Sequence, residues 1–275
     1  AGDHIQGTAY GSMDKGEMIM DLMVMAGYDL ATVGNHEFDY GMDRAMEVMT
    51  GYAVPYVSCN FYHEKEGKRG ENVLDSYKIF ETGGKKIAFI GVTTPESFTK
   101  STPAYFQDED GNYIYGISGG DDGQALYDDV QKAIDQARAE GADYVIALGH
   151  LGIDESSAPW RSTDVISNTA GLDAFIDGHS HHSIQSQMIQ DKDGEDVLLT
   201  QTGSYFDSVG ELTISAGGTL SAQLLTETGL DEEGNVIPDF TERPEDPEVA
   251  AVEESWISSI QESLGQTIGY SQVVL

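Results

Sequence analysis

The chain has 275 residues, 39% of them hydrophobic, and its 48 acidic against 14 basic side chains give a formal net charge of -34. This acidic excess repels nucleic acid, so a nucleic-acid-binding function is not expected. No apolar run is long enough to span a bilayer. The single cysteine, Cys59, excludes a disulfide within the chain and argues against a structural zinc knuckle, and we expect it to be a buried small side chain.

Hydrophobic spacing predicts alternating helices and strands in the first half of the chain and antiparallel strands in the second. The predicted helices are Glu17 to Ala26, Met42 to Met49, Gln124 to Glu140 and Glu248 to Leu264. The predicted strands are Leu30 to Val33, Tyr56 to Cys59, Tyr77 to Glu81, Lys86 to Val92, Asp143 to Gly149, Ala174 to Gly178, Gln187 to Gln190, Val197 to Gln201, Val209 to Ile214 and Leu220 to Leu225. This order indicates an α/β fold with two sheets flanked by helices.

Polar side chains follow several of these strands where each one ends. Gly34-Asn35-His36-Glu37-Phe38-Asp39-Tyr40-Gly41 follows one strand, His150 and His179 each follow a strand and a glycine, and Gly2-Asp3 stands at the start of the chain. In open α/β sheets ligands bind at the carboxyl ends of strands. Carboxylate and amide oxygens with imidazole nitrogens suit zinc, manganese, iron or cobalt. Together these residues predict a metal site.

The ordered blocks Gly-Asp, Gly-Asn-His-Glu-Phe-Asp-Tyr-Gly, Gly-His and Gly-His-Ser-His resemble those of the calcineurin-like metallophosphoesterases, and the 5′-nucleotidase branch fits best. The resemblance runs from Asp3 to about Glu227. It implies two mixed β-sheets sandwiched between helices, an α/β/β/α fold. It also implies a metal-dependent phosphomonoester hydrolase, most simply a 5′-nucleotidase that releases phosphate from nucleoside monophosphates through attack by a metal-bound hydroxide.

The resemblance assigns a role to each matching residue. Asp3 would bridge two metal ions, Asn35, His150 and His179 would complete one ion's site, and His181 would belong to the other. His36 would contact the transferred phosphate instead of metal, and Asp39 would hold its imidazole. The remaining histidines lack this context, so we expect His4 and His63 to face solvent, while His182 is doubtful.

One departure concerns the first metal. The family begins with a strand that carries Asp-x-His, and this chain opens at Ala1-Gly2-Asp3 without it. The first strand is therefore expected to be missing, and the chain is expected to be a fragment of a longer protein. Two divalent ions are expected in the full-length enzyme, but only one well-held ion in this chain. An inactive metal-binding fragment is one alternative function.

The C-terminal part has a different composition. Residues 1–228 are expected to form the catalytic domain, and residues 229–275 an acidic linker and a helix. That helix either packs on the same domain, which we favour, or leads toward an absent substrate-specificity domain. A long segment from Pro95 to Asp122 either borders the active site or forms a solvated surface loop, with equal weight.

The substrate is expected to be a nucleotide or another small phosphate ester, and by family resemblance the protein to be extracytoplasmic: secreted, in the cell wall or periplasmic. Asp39 favours monoesters, since relatives that act on 2′,3′-cyclic nucleotides tend to carry Asn there. A 2′,3′-cyclic-nucleotide or general phosphodiesterase remains the other alternative. Whether the protein is a monomer or an oligomer cannot be read from the sequence.

Overall fold

A computed structural model describes residues 1–226, 228–230, 236–238 and 245–265. Its α-helices are α1 (Ala9–Asp14), α2 (Glu17–Met25), α3 (Met42–Gly51), α4 (Ser97–Lys100), α5 (Gln124–Ala139), α6 (Ser162–Asn168) and α7 (Pro247–Leu264). Short 3-10 helices lie at His36–Phe38, Pro103–Phe106 and Glu155–Ser157. All four predicted helices are present, within two residues of their predicted ends.

The strands agree with the predicted pattern and add several short ones. They are β1 (Ala31–Thr32), β2 (Tyr56–Val57), β3 (Phe61–Lys65), β4 (Lys68–Asn72), β5 (Tyr77–Thr82), β6 (Lys85–Thr93), β7 (Tyr115–Ile117), β8 (Tyr144–His150), β9 (Ala174–Asp177), β10 (Ser183–Gln190), β11 (Asp196–Thr202), β12 (Val209–Ile214), β13 (Leu220–Leu225), β14 (Thr228–Leu230) and β15 (Val236–Pro238). β1 and β2 are shorter than predicted because only two residues of each pair with the other.

The largest sheet has six strands in the order β10-β11-β9-β8-β6-β5. Its four middle strands run parallel, while β5 and β10 are antiparallel edges. Thr93 at the end of β6 lies opposite His150 at the end of β8. Asp177 at the end of β9 lies opposite Gln201 of β11. The carboxyl ends of four neighbouring strands therefore meet at one edge, which is where a ligand site is expected in such sheets.

Smaller sheets lie beside the large one. β1 pairs in parallel with β2, and this pair lies close to β6 and β8. β3 pairs with β4 and β7, and β12 forms an antiparallel hairpin with β13. The predicted mixed α/β fold is confirmed, but in the described residues the strands outside the large sheet form separate small sheets and not one continuous second sheet.

Alternating burial along the strands creates distinct cores. On one face of the large sheet, Val145 and Ala147 of β8 pack with Leu126, Val130 and Ile134 of α5. On the other face, Ile146, Ala174 and Leu198 pack with Leu212 and Leu220 of the β12–β13 hairpin. A third core joins α2 and α3 to β1 and β2 around Val33, Phe38 and Phe61. The first and third of these cores hold the segments around His150 and His36 that carry the predicted site.

The segment from Pro95 to Asp122 is not a simple surface loop. It contains α4, a 3-10 helix and β7, and it buries Ser97 and Phe106 completely. Phe106 packs against the ring of Phe38, at 4.9 Å between centroids. Of the two alternatives, the one that places this segment beside the site is the better description, because Glu96 at its start contacts His179.

Helix α7 packs against α2 and α1, and it buries Ile260. Most of the predicted acidic linker lies outside the described residues, and the domain boundary at residue 228 stays a prediction. Among the described residues no helix has the length and apolarity that crossing a membrane requires.

Candidate metal centre

Three predicted ligands from distant parts of the chain come together at the edge of the large sheet. Asp3, His150 and His179 each offer a ligand atom, and these atoms lie within 4.8 Å of one another. The rings of His150 and His179 are 5.0 Å apart between centroids. Nε2 of His150 lies 2.8 Å from Oδ2 of Asp3. The cluster is formed by the ends of β8 and β9 and by the chain around Asp3.

Glycines allow this close approach. A Cβ atom added at Gly34 would lie 2.2 Å from Oδ1 of Asp3, far inside van der Waals contact. One added at Gly178 would lie 2.7 Å from the carbonyl oxygen of Ala1. The glycines before Asn35 and His179 are therefore required by packing, because any side chain would push the Asp3 segment away from the strand ends.

His150 is oriented so that its Nε2 can bind a cation beside Asp3. Its Nδ1 lies 2.6 Å from the carbonyl oxygen of Ala1, which can only accept a hydrogen bond, so Nδ1 is the donor and Nε2 is the nitrogen that faces Asp3. Nε2 makes no hydrogen bond in the described part of the chain, although it lies 2.8 Å from Oδ2 of Asp3. A cation between them would satisfy both.

The electrostatics of this pair reflect burial and mutual attraction. Burial acts to lower the pKa of His150, but the charge of Asp3 outweighs it and the pKa is raised. Burial likewise acts to raise the pKa of Asp3, and the imidazole of His150 holds it well below its usual range. Asp3 is thus a carboxylate and a ready metal ligand.

His179 has a different environment. Its Nε2 lies 2.7 Å from Oε2 of Glu96, and its backbone is left-handed, with φ of 77°. Burial and the neighbouring His150 lower its pKa. His179 is therefore a neutral imidazole near neutral pH, which is the form that binds metal.

Asn35 provides an independent indication of a ligand. It is 2% exposed, and its side-chain oxygen Oδ1 has no hydrogen-bond partner among the described residues. A buried amide oxygen without a partner costs about 1–3 kcal/mol. The next residue, His36, donates its backbone N–H to Oδ1 of Asp3 at 2.8 Å, which ties this turn to the cluster. Carboxylate, amide and imidazole donors fit a divalent cation.

His36 and Asp39 form a pair beside the cluster. Nδ1 of His36 lies 2.6 Å from Oδ2 of Asp39. The amide of Gln6 donates to the same carboxylate oxygen at 3.2 Å. The imidazole of His36 is 40% exposed, so it remains open to a ligand. The chain around Gln6 and the 3-10 helix at His36–Phe38 together position this pair.

Three other histidines, His63, His181 and His182, are exposed. His181 is exposed and does not join the cluster of Asp3, His150 and His179 among the described residues, so its role stays a prediction. His63 and His182 are exposed, as expected for His63. Cys59 is buried, as predicted, and burial raises the pKa of its thiol.

The prediction that His4 faces solvent is wrong. Its side chain is only 13% exposed, and Nδ1 lies 3.3 Å from Oε1 of Glu37. Glu37 is completely buried and accepts backbone N–H bonds from Asp3, His4 and Gly34 at 2.8, 2.7 and 2.6 Å. Burial acts to raise the pKa of Glu37, but the side chain of His4 and the backbone N–H of Asp3 lower it. His4 is inside because this buried carboxylate requires a partner.

Two further polar residues contribute to the site without belonging to the predicted motifs. Glu96 follows β6 by three residues, so the rule that polar residues after strands mark the site could have found it. Gln201, 1% exposed, accepts from the hydroxyl of Ser180 and the backbone N–H of His182 and donates to Asp177 and Gly178. It fixes the turn that carries His179, but its position inside β11 gives no sequence signal.

Comparisons with known proteins identify a family and relatives of this chain. Residues 9–193 match the model of a family described as bacterial capsule synthesis protein PGA_cap. A snake venom 5′-nucleotidase from Gloydius brevicauda is 26% identical over 258 residues, covering 86% of this chain and 37% of that protein. The chain therefore spans little more than a third of the length of this relative.

Solved structures show the same fold. A 5′-nucleotidase precursor from Thermus thermophilus aligns with a TM-score of 0.72 at 23% identity, covering 99% of this chain and 51% of that one. The calcineurin-like phosphoesterase YfkN from Bacillus subtilis aligns with a TM-score of 0.69 at 23% identity, covering 96% of this chain and 84% of that one.

Proposed function

Since the chain belongs to the family of bacterial capsule synthesis protein PGA_cap, and its relatives and structural neighbours are 5′-nucleotidases and calcineurin-like phosphoesterases, we propose that it is the catalytic part of a metal-dependent phosphomonoester hydrolase. The proposed substrate is a nucleoside monophosphate, and the proposed products are a nucleoside and phosphate. The resemblance drawn from the strand-end motifs is confirmed by these relatives.

One observation carries the proposal. Ligand atoms of Asp3, His150 and His179 converge within 4.8 Å, and two buried atoms, Oδ1 of Asn35 and Nε2 of His150, have no hydrogen-bond partner among the described residues. Protein interiors rarely leave such atoms without a partner. A bound divalent cation would explain both, and calcineurin-like phosphoesterases use divalent metals.

Asp3, Asn35, His150 and His179 would hold one ion in this chain. Asp3 and His181 would contribute to a second site in the longer protein. When bound, the metal supplies positive charge beside the phosphoryl oxygens and lowers the pKa of a neighbouring water. The donor set is compatible with zinc, manganese, iron or cobalt.

His36 and Asp39 would act directly on the substrate. Asp39 accepts the proton of Nδ1, which fixes the tautomer and orientation of the imidazole. In its imidazolium form His36 also carries a proton on Nε2, and this N–H would donate to the phosphoryl group and stabilise charge that develops during displacement. The 40% exposure of the ring leaves room for this contact.

The wider context of the protein is also proposed. Residues 1–228 would be the catalytic domain, with residues 229–275 leading toward a further domain of the longer protein. The chain spans 37% of the length of the venom 5′-nucleotidase. The venom relative also supports an extracytoplasmic location.

The experiment measures phosphate release from AMP by the 275-residue chain. Metal is first removed with a chelator, and Mn²⁺ is then added back. Phosphate release that depends on Mn²⁺ supports the proposal, whereas a rate equal to that of buffer would favour an inactive metal-binding module. Faster hydrolysis of 2′,3′-cyclic AMP or of a bis-aryl phosphate than of AMP would identify a phosphodiesterase.

A further inference from the structure

Glu96 is a buried carboxylate at the edge of the metal cluster that has no role in the proposed reaction. It is 8% exposed and lies in the segment that follows β6. Its Oε2 lies 2.7 Å from Nε2 of His179 and accepts the hydroxyl hydrogen of Ser157 at 2.9 Å. One oxygen atom thus joins three segments that are far apart in the sequence.

This contact determines which nitrogen of His179 carries the proton. A carboxylate can only accept, so the neutral imidazole donates from Nε2 and keeps its lone pair on Nδ1. His150 shows the same arrangement with the opposite nitrogen, since it donates from Nδ1 to the carbonyl of Ala1. Each histidine of the cluster therefore has one nitrogen tied to an acceptor and one free for a cation.

Glu96 is also poorly compensated as a buried charge. In the described part of the chain its ion-pair partner is His179, with no Lys or Arg within salt-bridge distance. A buried carboxylate is costly unless positive charge lies near it. A divalent ion bound to His179 would supply that positive charge, since the imidazole connects the ion to Glu96. The corresponding acceptor for His150 is the neutral carbonyl of Ala1.

We propose that Glu96 is a positioning residue of the metal centre, which orients His179 and strengthens its binding of a divalent cation. The inference rests on the proposed function, because it assumes that His179 binds metal. Ser157 holds the carboxylate from the other side, but it does not touch the imidazole.

The test is the dissociation constant of Mn²⁺, measured by calorimetry on the 275-residue chain without substrate. Removing such a carboxylate partner typically weakens metal binding about 10–100-fold. We expect that loss for Glu96→Ala. Glu96→Gln should lose less, because its amide oxygen still accepts from Nε2 while the charge is gone. Ser157→Ala is the matched control, since it removes a hydrogen bond from the same oxygen, and it should stay within about threefold of wild type.

The visible absorption spectrum of bound Co²⁺ distinguishes a change in the orientation of His179 from a general loss of structure. With Co²⁺ in place of Mn²⁺, Glu96→Gln should shift the visible absorption bands, and Ser157→Ala should leave them unchanged. If Glu96→Ala does not fold, the near-isosteric Glu96→Gln variant decides the matter.

Unchanged Mn²⁺ affinity in both Glu96 variants would overturn the inference alone. Equal weakening in Ser157→Ala would also overturn it, because the effect would then be one of packing. If the wild-type chain binds no Mn²⁺, the proposed function fails, and this inference fails with it.

Discussion

The substitution Glu37→Gln should destabilise the fold and the metal centre together. The Oε2 atom of Glu37 accepts the backbone N–H groups of Asp3 and Gly34, while Oε1 accepts the N–H of His4 and lies near its ring. The glutamine amide has only one acceptor oxygen. In the more favourable orientation this oxygen takes the place of Oε2 and keeps the hydrogen bonds from Asp3 and Gly34. Its NH₂ group then faces the backbone N–H of His4, donor against donor.

The cost can be worked from these contacts. One charge-assisted hydrogen bond, worth about 1.5–3 kcal/mol, is lost, and a buried N–H is left without a partner at about 1–3 kcal/mol. Because part of this relaxes, we expect the free energy of unfolding to fall by about 3 kcal/mol. For a domain of this size that lowers the melting temperature by about 6–12 °C.

Thermal and urea unfolding of the metal-free chain measure this effect, and Mn²⁺ calorimetry measures the loosening of Asp3. Glu47→Gln is the matched control, since Glu47 is 60% exposed and pairs with Arg44 on the surface of α3. It should change stability by no more than about 0.5 kcal/mol. A melting temperature for Glu37→Gln within about 2 °C of wild type would refute the view that this carboxylate holds the Asp3 segment.

Three further outcomes are expected. His36→Ala should slow hydrolysis of AMP by about 10²-fold or more while Mn²⁺ affinity stays within about threefold, and near wild-type turnover would contradict its phosphate-facing role. Gly34→Ala should abolish tight Mn²⁺ binding, because its Cβ would lie 2.2 Å from a carboxylate oxygen of Asp3. Mn²⁺ affinity measured by calorimetry and found equal to that of wild type would contradict this. Gln201→Leu removes a buried amide that makes four hydrogen bonds, so the free energy of unfolding measured by urea titration should fall by about 2–4 kcal/mol. A fall of less than about 1 kcal/mol would contradict this.

Much of the fold and of the cluster could be predicted because both follow from local patterns. β8 and β9 are short apolar runs that end at a glycine and a polar residue, and parallel strands bring such ends to one edge of a sheet. This is why His150 and His179 could be linked before any contact was known. The resemblance to calcineurin-like metallophosphoesterases supplied the family, which the relatives confirm.

What the sequence did not reveal depends on contacts between distant segments. The bond from His179 to Glu96 joins residues 83 positions apart, and His4 is buried because its partner Glu37 lies 33 positions away. Neither pairing leaves a periodic signal. The division of the smaller strands into separate sheets has the same cause, since strand pairing is a property of the packed chain. His181 and the domain boundary at residue 228 stay predictions.

The central claim is that the ends of these strands hold a divalent ion. Anomalous scattering from crystals of the chain soaked in Mn²⁺ tests it most directly. We expect a peak bonded to Asp3, Asn35, His150 and His179 at distances of about 2.0–2.3 Å. An empty position between these four side chains, in crystals that bind Mn²⁺ elsewhere, would contradict it.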